Sequence, residues 1–268
     1  MRNRMLAAVM FGVVFACAGA ARADEAVLPP PADANELMRR ADKLNRSDDE
    51  TREAKMTLIN KNGTTRERRI IIWTKRKDDD NDYSLVRFIA PGDVAGTGLL
   101  TEEFSDRDDD QFLYLPALKR TRRISSSDKS DSFMGTDFSF EDMEAFDEKD
   151  WDHKKIGEEA YEGRKVWIVE SVPKSPKKIK ETAYGKIVGK VDPERYIVLA
   201  SDYFNKKDEH IKEFKALNIK PYGKLWRAER IEMRTLKSGH TTTIEYSDTK
   251  INTGLEVSRF TRRELEKN

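Results

Sequence analysis

Short segments with the alternating pattern of β-strands follow one another between residues 51 and 246, separated by tight turns. The clearest turn is Asn62-Gly63, which stands between the apolar segments Met56–Ile59 and Ile70–Trp73. An Asn-Gly pair in this setting favours a β-hairpin. Because the connections are short, parallel crossovers are not predicted. We expect a mainly β (α+β) fold with about eleven strands in one antiparallel sheet or barrel.

Two other segments are candidates for helices. Residues 35–45 place Leu37, Met38, Ala41 and Leu44 at helical spacing, with charged residues between them. This pattern predicts one amphipathic helix of about three turns that lies across the sheet. Residues 259–266 are compatible with a short helix or with an edge strand, and the sequence leaves both open.

The first 23 residues have the organisation of a secretory signal peptide. An apolar run follows two arginines, and Ala21-Arg22-Ala23 matches the cleavage pattern, so we predict a mature chain that begins at Asp24 in the periplasm. Intact-mass measurement would show this start. Cys17, the only cysteine, leaves open a less favoured form that is anchored by a lipid.

The rest of the chain is predicted to be a proline-rich tether, residues 24–33, and a single domain, residues 34–268. Its charges nearly cancel, since 50 Lys and Arg face 49 Asp and Glu. Such a balance argues against a net field that would attract nucleic acid. A mature chain without cysteine has no disulfide, no thiolate nucleophile and no cysteine-based metal site.

Residues 133–143 carry five large apolar side chains without a clear strand or helix period. We interpret this segment as a loop pinned by Gly135 that turns into a short helix, with Thr136 or Asp137 as the N-cap. Side chains of this size need cover. The segment is therefore expected to fold over another part of the protein.

Four segments carry a resemblance to a known family: Arg87–Pro91, Gly96–Leu100, Tyr114–Ile124 and Phe133–Asp142. In order and spacing they are similar to the periplasmic outer membrane lipoprotein-sorting proteins, relatives of the LolA/LolB-like lipoprotein carriers. The resemblance implies an incomplete, strongly curved barrel whose concave side is covered by helices and a loop. It also implies a membrane source and an acceptor, such as an inner-membrane transporter of the resistance-nodulation-division type or an outer-membrane acceptor.

No segment contains a complete catalytic set. Ser126–Lys129 and Lys237–Gly239 match two elements of penicillin-binding enzymes, but the third element is missing. His153, His210 and His240 are far apart in the sequence and lack paired spacing, so a zinc site has little support. We predict a monomeric binding protein without enzymatic activity or cofactor.

Two acidic runs, residues 78–82 and 106–110, invite a comparison with calcium sites, which use oxygen ligands. Neither run has the glycine and the distal glutamate of an EF-hand loop. Since each run stands between predicted strands, a solvated hairpin tip is the preferred interpretation, with calcium as the alternative.

The segment that follows Pro116 is basic. Arg120, Arg122 and Arg123 would bind a phosphate or a carboxylate through paired guanidinium bonds. The alternative is an edge strand that its charges protect from aggregation, and both remain open. These three arginines and Asp137 are the predicted polar, partner-binding residues.

A barrel with this many strands has an interior too wide for side chains to fill, so a ligand cavity is expected. Acyl chains suit such a cavity because each buried methylene gains about 0.8 kcal/mol. The predicted function is a periplasmic carrier of a lipid or of lipoprotein acyl chains; a periplasmic sensor that regulates a membrane protein is the alternative. The predicted cavity and lid residues are Met56, Leu58, Trp73, Phe88, Phe112, Tyr114, Phe133, Met134, Phe138, Phe140, Met143, Trp167 and Trp226.

Overall fold

The alternating segments form thirteen strands, which pair in one antiparallel sheet in residues 28–267, the part of the chain that the computed structural model describes. Three helices accompany the sheet in this range: α1 (Ala34–Leu44), α2 (Pro176–Glu181) and α3 (Arg262–Leu265). The strands are β1 (Asp49–Ile59), β2 (Thr65–Arg76), β3 (Asp82–Ala90), β4 (Gly98–Glu102), β5 (Asp110–Leu115), β6 (Arg120–Arg123), β7 (Trp151–Tyr161), β8 (Arg164–Pro173), β9 (Tyr184–Asp192), β10 (Ile197–Asn205), β11 (His210–Tyr222), β12 (Leu225–Thr235) and β13 (His240–Ile251).

The predicted signal peptide, residues 1–23 with Cys17, lies outside the described residues, as do residues 24–27 of the predicted tether. Residues 28–30 form neither helix nor strand. All the described helices and strands belong to the unit that begins at Pro31. None of these described helices has the length and apolar character needed to cross a membrane.

The strands form two meanders. Strands β1 to β6 make the first and strands β7 to β13 the second, and the meanders join where β1 pairs with β13, with Glu50 opposite Ile251. Strands β6 and β7, consecutive in the chain, are the two edges of the sheet. In the described part of the chain the sheet is open, which confirms the predicted incomplete barrel. Residues 124–150, which connect the two edges, are called the crossing segment below.

The crossing segment packs on one face of the sheet, called the inner face. Phe133 is fully buried, and its ring lies 5.7 Å from that of Phe88 on β3 and 5.7 Å from that of Phe140. Met56 and Leu58 on β1 belong to the same apolar core. Burial of such side chains stabilises the fold by about 1.5–3 kcal/mol each. The segment thus fills the inner face over β1 to β5, here called the filled side.

Helix α1 covers the inner face over the second meander, here called the hollow side. Asp33 accepts a hydrogen bond from the N–H of Glu36 at 2.8 Å and caps the first turn. Leu37 and Met38 are buried and pack against Val169 on β8. The predicted amphipathic helix across the sheet is therefore confirmed, and its boundaries differ by one residue at each end.

The opposite, outer face carries a smaller core over the first meander. There the end of the chain packs on the sheet, with Phe260 and Leu265 buried against Leu85 on β3. A side chain at Gly98 would place its Cβ 2.7 Å from Leu265 Cδ1, so the buried leucine would have to shift to make room for it. Residues 262–265 form α3, which decides between the two alternatives for the terminal segment in favour of a short helix.

Two details differ from the prediction. The predicted count of about eleven strands is low because it leaves out short edge segments such as β6. The predicted helix after Gly135 with Thr136 or Asp137 as N-cap is wrong: one 3-10 turn ends at Gly135, and the next begins only at Glu141, with Phe140 at its N-cap. The physical reason is that the Asp137 carboxylate accepts hydrogen bonds from side chains of the sheet instead of from a helix.

The two acidic runs form turns. Asp78 Oδ1 accepts hydrogen bonds from the N–H groups of Asp80 and Asn81, both at 2.9 Å. Asp110 in the second run pairs with Arg107 at 2.8 Å and with Arg123. The structure therefore supports the interpretation as tips between strands, stabilised by local bonds and ion pairs.

Candidate functional site

A cavity of about 420 Å³ lies between α1 and the inner face of strands β8 to β12. Space remains because the residues that face each other here are small, with Ala41 on the helix and Gly189, Ser171 and Ser201 on the strands. The rest of the wall is largely apolar. Its main apolar side chains are Met38, Val169, Val191, Val198, Phe214 and Trp226.

A second cavity of about 200 Å³ adjoins the first, beneath the crossing segment. Both cavities are lined by Phe146, Ile187, Tyr203 and Phe214, so they share a wall. Phe146 is 39% exposed and its ring stacks on Trp151 at 5.3 Å, at the border between the two cavities. Together the cavities form a divided apolar space that α1 covers at one end and the crossing segment at the other.

A larger depression of about 620 Å³ lies elsewhere, lined by Ser126, Ser127, Ser130, Lys180 and Lys206 among others. Nine of its ten lining residues are polar or charged, Ala183 being the exception, and it is more open to solvent than the cavity beneath α1. An apolar ligand gains little from such a surface because the water there is not displaced from apolar groups. The smaller cavity beneath α1 is therefore the better candidate site.

The end of α1 is tied to the strands that line the cavity. Asn45 donates from Nδ2 to the carbonyl oxygens of Arg195 at 2.9 Å and Tyr196 at 2.8 Å, and its Oδ1 accepts from the Trp226 N–H at 2.8 Å. Arg40 also donates to the Tyr196 hydroxyl at 3.0 Å. These bonds fix the position of the helix over the cavity.

Asp42 in the cavity wall and His153, which bonds to the wall residue Ser171, have environments that suit an apolar ligand. Burial raises the pKa of Asp42, which favours the neutral carboxyl beside the apolar walls. Burial lowers the pKa of His153, so its imidazole is neutral. His153 Nε2 donates to the carbonyl oxygen of Glu148 at 3.1 Å, and Nδ1 then accepts from the Ser171 hydroxyl at 2.8 Å. The Ser171 hydroxyl is therefore satisfied within the protein.

Asp137 fastens the crossing segment to the sheet. This residue is 4% exposed, and its carboxylate accepts from Thr235 Oγ1 at 2.6 Å, His240 Nδ1 at 2.6 Å and Thr242 Oγ1 at 2.7 Å. Hydrogen bonds to a charged group contribute about 1.5–3 kcal/mol. Arg68 on β2 adds a bond to the carbonyl oxygen of Met134 at 2.7 Å. The sequence predicted a partner-binding role for Asp137, and this role stays a prediction for a residue that the structure buries.

Carboxylates also hold the later part of the crossing segment, next to the second cavity. Asp142 accepts from the Tyr184 hydroxyl at 2.6 Å and from Lys212 Nζ at 2.8 Å. Glu103, which follows β4, accepts from the N–H of Ala145 at 3.3 Å and that of Asp82 at 2.8 Å. Burial, with a contribution from the Asp82 carboxylate, raises the pKa of Glu103 to about 8. A neutral Glu103 is therefore abundant near neutral pH.

The structure divides the predicted cavity and lid residues among several places. Those that line the cavities are Phe138 and Trp226. Those packed in or against the core of the filled side are Met56, Leu58, Phe88, Phe133, Met134, Phe138, Phe140 and Met143. Those on the outer face are Trp73, Phe112 and Tyr114, and Trp167 packs beside α1. Ligand binding by any of them stays a prediction.

The predicted basic residues lie on the edge strand β6. Arg120 and Arg122 are exposed or nearly so, and Arg122 pairs with Asp128 at 3.5 Å. Arg123 donates from Nε to Asp110 at 2.8 Å. This edge belongs to the first meander, and the three arginines are not among the residues that line the cavity beneath α1. Both alternatives for them, partner binding and protection of an edge, remain compatible with an exposed edge strand.

Most of the residues that line the cavity were not predicted. Val198, Tyr203 and Phe214 lie on β10 and β11, whose strand pattern the sequence does show. The alternation along these strands indicates which side chains share a face. It does not show that small residues on neighbouring strands lie opposite α1. These small residues leave the space for the cavity.

The fold is shared with solved structures. A LolA superfamily protein from Nitrosomonas europaea is 17% identical and superposes with a TM-score of 0.68, over 87% of this chain and 99% of that one. At this identity the match establishes the fold alone. The fold is accordingly that of the LolA superfamily, an open antiparallel sheet with a covered inner face.

Two other structures are more similar in sequence. A domain assigned to the outer membrane lipoprotein-sorting proteins, from Vibrio parahaemolyticus, is 30% identical, with a TM-score of 0.82, over 87% of this chain and 98% of that one. A DUF1329 family protein from Desulfovibrio piger is 32% identical, with a TM-score of 0.81, over 86% and 97% of the two chains. The profile of a family described as "uncharacterized protein" matches residues 80–267. No curated protein matches the sequence. The chain belongs to the outer membrane lipoprotein-sorting protein family.

Proposed function

We propose that the protein is an extracytoplasmic carrier that holds the acyl chains of a lipid or of a lipoprotein in the cavity beneath α1. The observation that carries the proposal is the adjoining pair of apolar cavities, about 420 and 200 Å³, on the hollow side. Pockets that bind small molecules usually have about 300–1,000 Å³ and mostly apolar walls. On this proposal the protein binds its cargo and catalyses no reaction.

The energetic argument favours a flexible apolar chain as the ligand. Each methylene group that moves from water into an apolar site gains about 0.8 kcal/mol. The polar wall groups described above are either paired within the protein, as in Ser171, or biased towards the neutral form, as in Asp42. Among the described residues that line the 420 Å³ cavity, Asp42 is the single carboxyl group and there is no lysine or arginine, so this wall does not offer the convergent charges that a polar ligand would require.

Loading and release need a cover that moves, and two elements serve as candidates. Helix α1 is fixed at its end by Asn45, and residues 141–145 of the crossing segment are fixed mainly by side-chain carboxylates. A ligand that binds better to the open state shifts the population towards it. The carrier would then exchange its cargo by opening one cover while the strands stay in place.

The site of action and the partners are part of the proposal. The predicted signal peptide supports a periplasmic location, and the similarity to a lipoprotein-sorting domain supports a role in transport towards the outer membrane. The exposed arginines of β6 would contact a partner, either an inner-membrane transporter or an outer-membrane acceptor. A partner surface on the filled side would leave the entrance on the hollow side free.

The test uses Gly189, which lines the cavity and offers a matched pair of variants. A Cβ at this position would meet Ser201 Oγ at 3.6 Å and Val191 Cγ2 at 3.7 Å, which are ordinary contacts. Gly189→Ala should therefore keep the space, whereas the ring of Gly189→Phe should occupy it. We expect the phenylalanine variant to lose at least about tenfold in affinity for a fluorescent fatty acid, equal to 1.4 kcal/mol.

The same two variants provide the control. Both should keep the thermal midpoint close to that of the original chain, since phenylalanine is favoured in strands. Native mass spectrometry of the protein from its own periplasm, followed by organic extraction, should identify the cargo. Equal fatty-acid affinity in Gly189→Ala and Gly189→Phe, together with a ligand-free native mass, would refute the proposal.

A further inference from the structure

The hairpin of β10 and β11 brings together three side chains that bind divalent metal ions. Asp202 lies on β10, and His210 and Glu213 lie on β11, and their candidate ligand atoms are all within 4.8 Å of one another. In the described part of the chain this is the one group of three or more such side chains at that spacing. From this arrangement we propose a zinc-binding site on the outer face of the sheet, independent of the cavity.

The location on the outer face follows from strand alternation. Ser201 and Tyr203 line the cavity on the inner face. Asp202 stands between them, so its side chain points to the other face. Glu213 is directly opposite Asp202 in the strand register. The site and the proposed lipid cavity are therefore on opposite faces of the same two strands.

The pairing of Asp202 with Glu213 supports a cation between them. Like charges directly opposite each other on neighbouring strands are destabilising. Arg234 on β12 compensates in part, since its Nη1 lies 3.9 Å from Glu213 Oε2. Arg234 does not neutralise the negative charge on the other oxygen of Glu213 or on the carboxylate of Asp202. A bound divalent ion would neutralise both.

The geometry at His210 suits zinc. Its Nε2 lies 3.4 Å from Asp202 Oδ1 and 3.1 Å from the carbonyl oxygen of Lys212, a hydrogen-bond partner that a zinc ion would replace. Two ligands at about 2.0–2.1 Å from a tetrahedral zinc ion are themselves about 3.3 Å apart, so the two atoms already have the required separation. The imidazole stacks on the ring of Phe204, with centroids 5.0 Å apart and 24° between the planes. This stacking restricts the orientation of the ligand before the ion arrives.

Hydrogen bonds also fix the conformation of the turn between β10 and β11. Asn205 Oδ1 accepts from the N–H groups of Lys207 at 2.9 Å and Glu209 at 3.0 Å. Asp208 takes the left-handed conformation, with φ of 64°, which aspartate tolerates better than most residues. Ligands on strands joined by such a turn are held more precisely than ligands on long loops.

The donor set decides the class of ion. One imidazole nitrogen and two carboxylate oxygens are ligands that zinc accepts, whereas calcium and magnesium prefer oxygen alone. Three protein ligands leave a fourth position for water or for a group of another molecule. Sequence spacing offers little support for zinc because the three histidines lack paired spacing. This site uses a single histidine and draws its carboxylates from two strands.

The experiment measures zinc binding to the full mature chain, purified without a histidine tag and treated with a chelator. Titration calorimetry with zinc chloride should show one ion per chain. His210→Ala and Asp202→Asn should each lower the affinity at least about tenfold. Cobalt chloride should produce the visible absorption bands of a tetrahedral site in the original chain and not in these variants. Zinc should also raise the melting temperature of the original chain and not of these two variants.

Asp208→Asn supplies the matched control. It removes one carboxylate from the same hairpin, at a position where asparagine fits the backbone, and touches none of the three ligands. This variant and Gly189→Phe should bind zinc like the original chain. The proposal is overturned if the original chain shows no saturable binding, or if His210→Ala binds as tightly as Asp208→Asn.

Discussion

The filled and the hollow side of the inner face are covered in different ways. On the filled side, the crossing segment inserts Phe133 and Phe140 between the strands and itself, and both pack in one apolar core with Phe88. On the hollow side, α1 presents Met38 and Ala41 to strands that carry Gly189 and small hydroxyl residues. The comparison shows that the size of the facing side chains decides where a cavity remains between the sheet and its cover.

The largest expected effect tests the filled side. Phe133→Ala removes a fully buried ring from the core, so we expect a loss of about 3–5 kcal/mol in the free energy of unfolding, measured by urea denaturation. The matched control is Phe146→Ala at the border of the hollow side, where the ring is 39% exposed and less stability is lost. Equal losses in the two variants would break the distinction between the sides.

A smaller effect, the pH dependence of the melting temperature, tests the border between the filled and the hollow side. The pKa of Glu103 in the folded protein is about 8, above the 4.5 of an exposed glutamate. The protonated form is favoured by folding, so its contribution to stability is present in full below about pH 4.5 and is lost as the pH rises through about 8. We expect the melting temperature to fall between about pH 5 and pH 9 for this reason.

Glu103→Gln serves as the test of that cause. Glutamine keeps an oxygen acceptor for the N–H of Ala145 and cannot ionise, so the variant should show a weaker fall of the melting temperature over the same pH range. The relevant comparison is the slope, not the absolute midpoint. The same slope in the variant would show that other groups control the attachment of the crossing segment.

The smallest effect on stability is expected at the edge of the filled side. Replacing Arg120, Arg122 and Arg123 together by glutamine should lower the free energy of unfolding by less than about 1 kcal/mol, because ion pairs at the surface contribute little. Fatty-acid retention should not change, since these residues are remote from the cavity lining, whereas partner binding should weaken. A sharp fall in melting temperature with unchanged partner binding would make the arginines structural.

The sequence predicted the parts of the fold that depend on local patterns. The hairpin at Asn62-Gly63, the helix at Ala34–Leu44 and the open antiparallel sheet are all confirmed. In each case the period of apolar residues or a turn pair carries the information. The family resemblance added the covered inner face, which local patterns do not show.

The details of the candidate site were harder to predict because they depend on which side chains meet across the fold. Asp137 was expected to cap a helix, yet three donors on β12 and β13 bind its carboxylate more effectively. Trp73 and Phe88 were both placed towards a cavity, and the structure puts them on opposite faces. The alternation of side chains along a strand shows that residues next to each other in sequence point to opposite faces of the sheet. It does not show which segment of the chain covers each face.

The pairing of β1 with β13 has a consequence for how the chain reaches this structure. Glu50 pairs with Ile251, which lies 201 positions further along the sequence, whereas the other strand pairs are mostly formed between close neighbours. Contacts this distant in sequence are slow to form, so the two meanders should assemble first and join last. Until then, β1 presents an open edge to other chains. Its alternating charges at Arg52, Glu53 and Lys55 are the kind of residues that keep such an edge from pairing wrongly before β13 arrives.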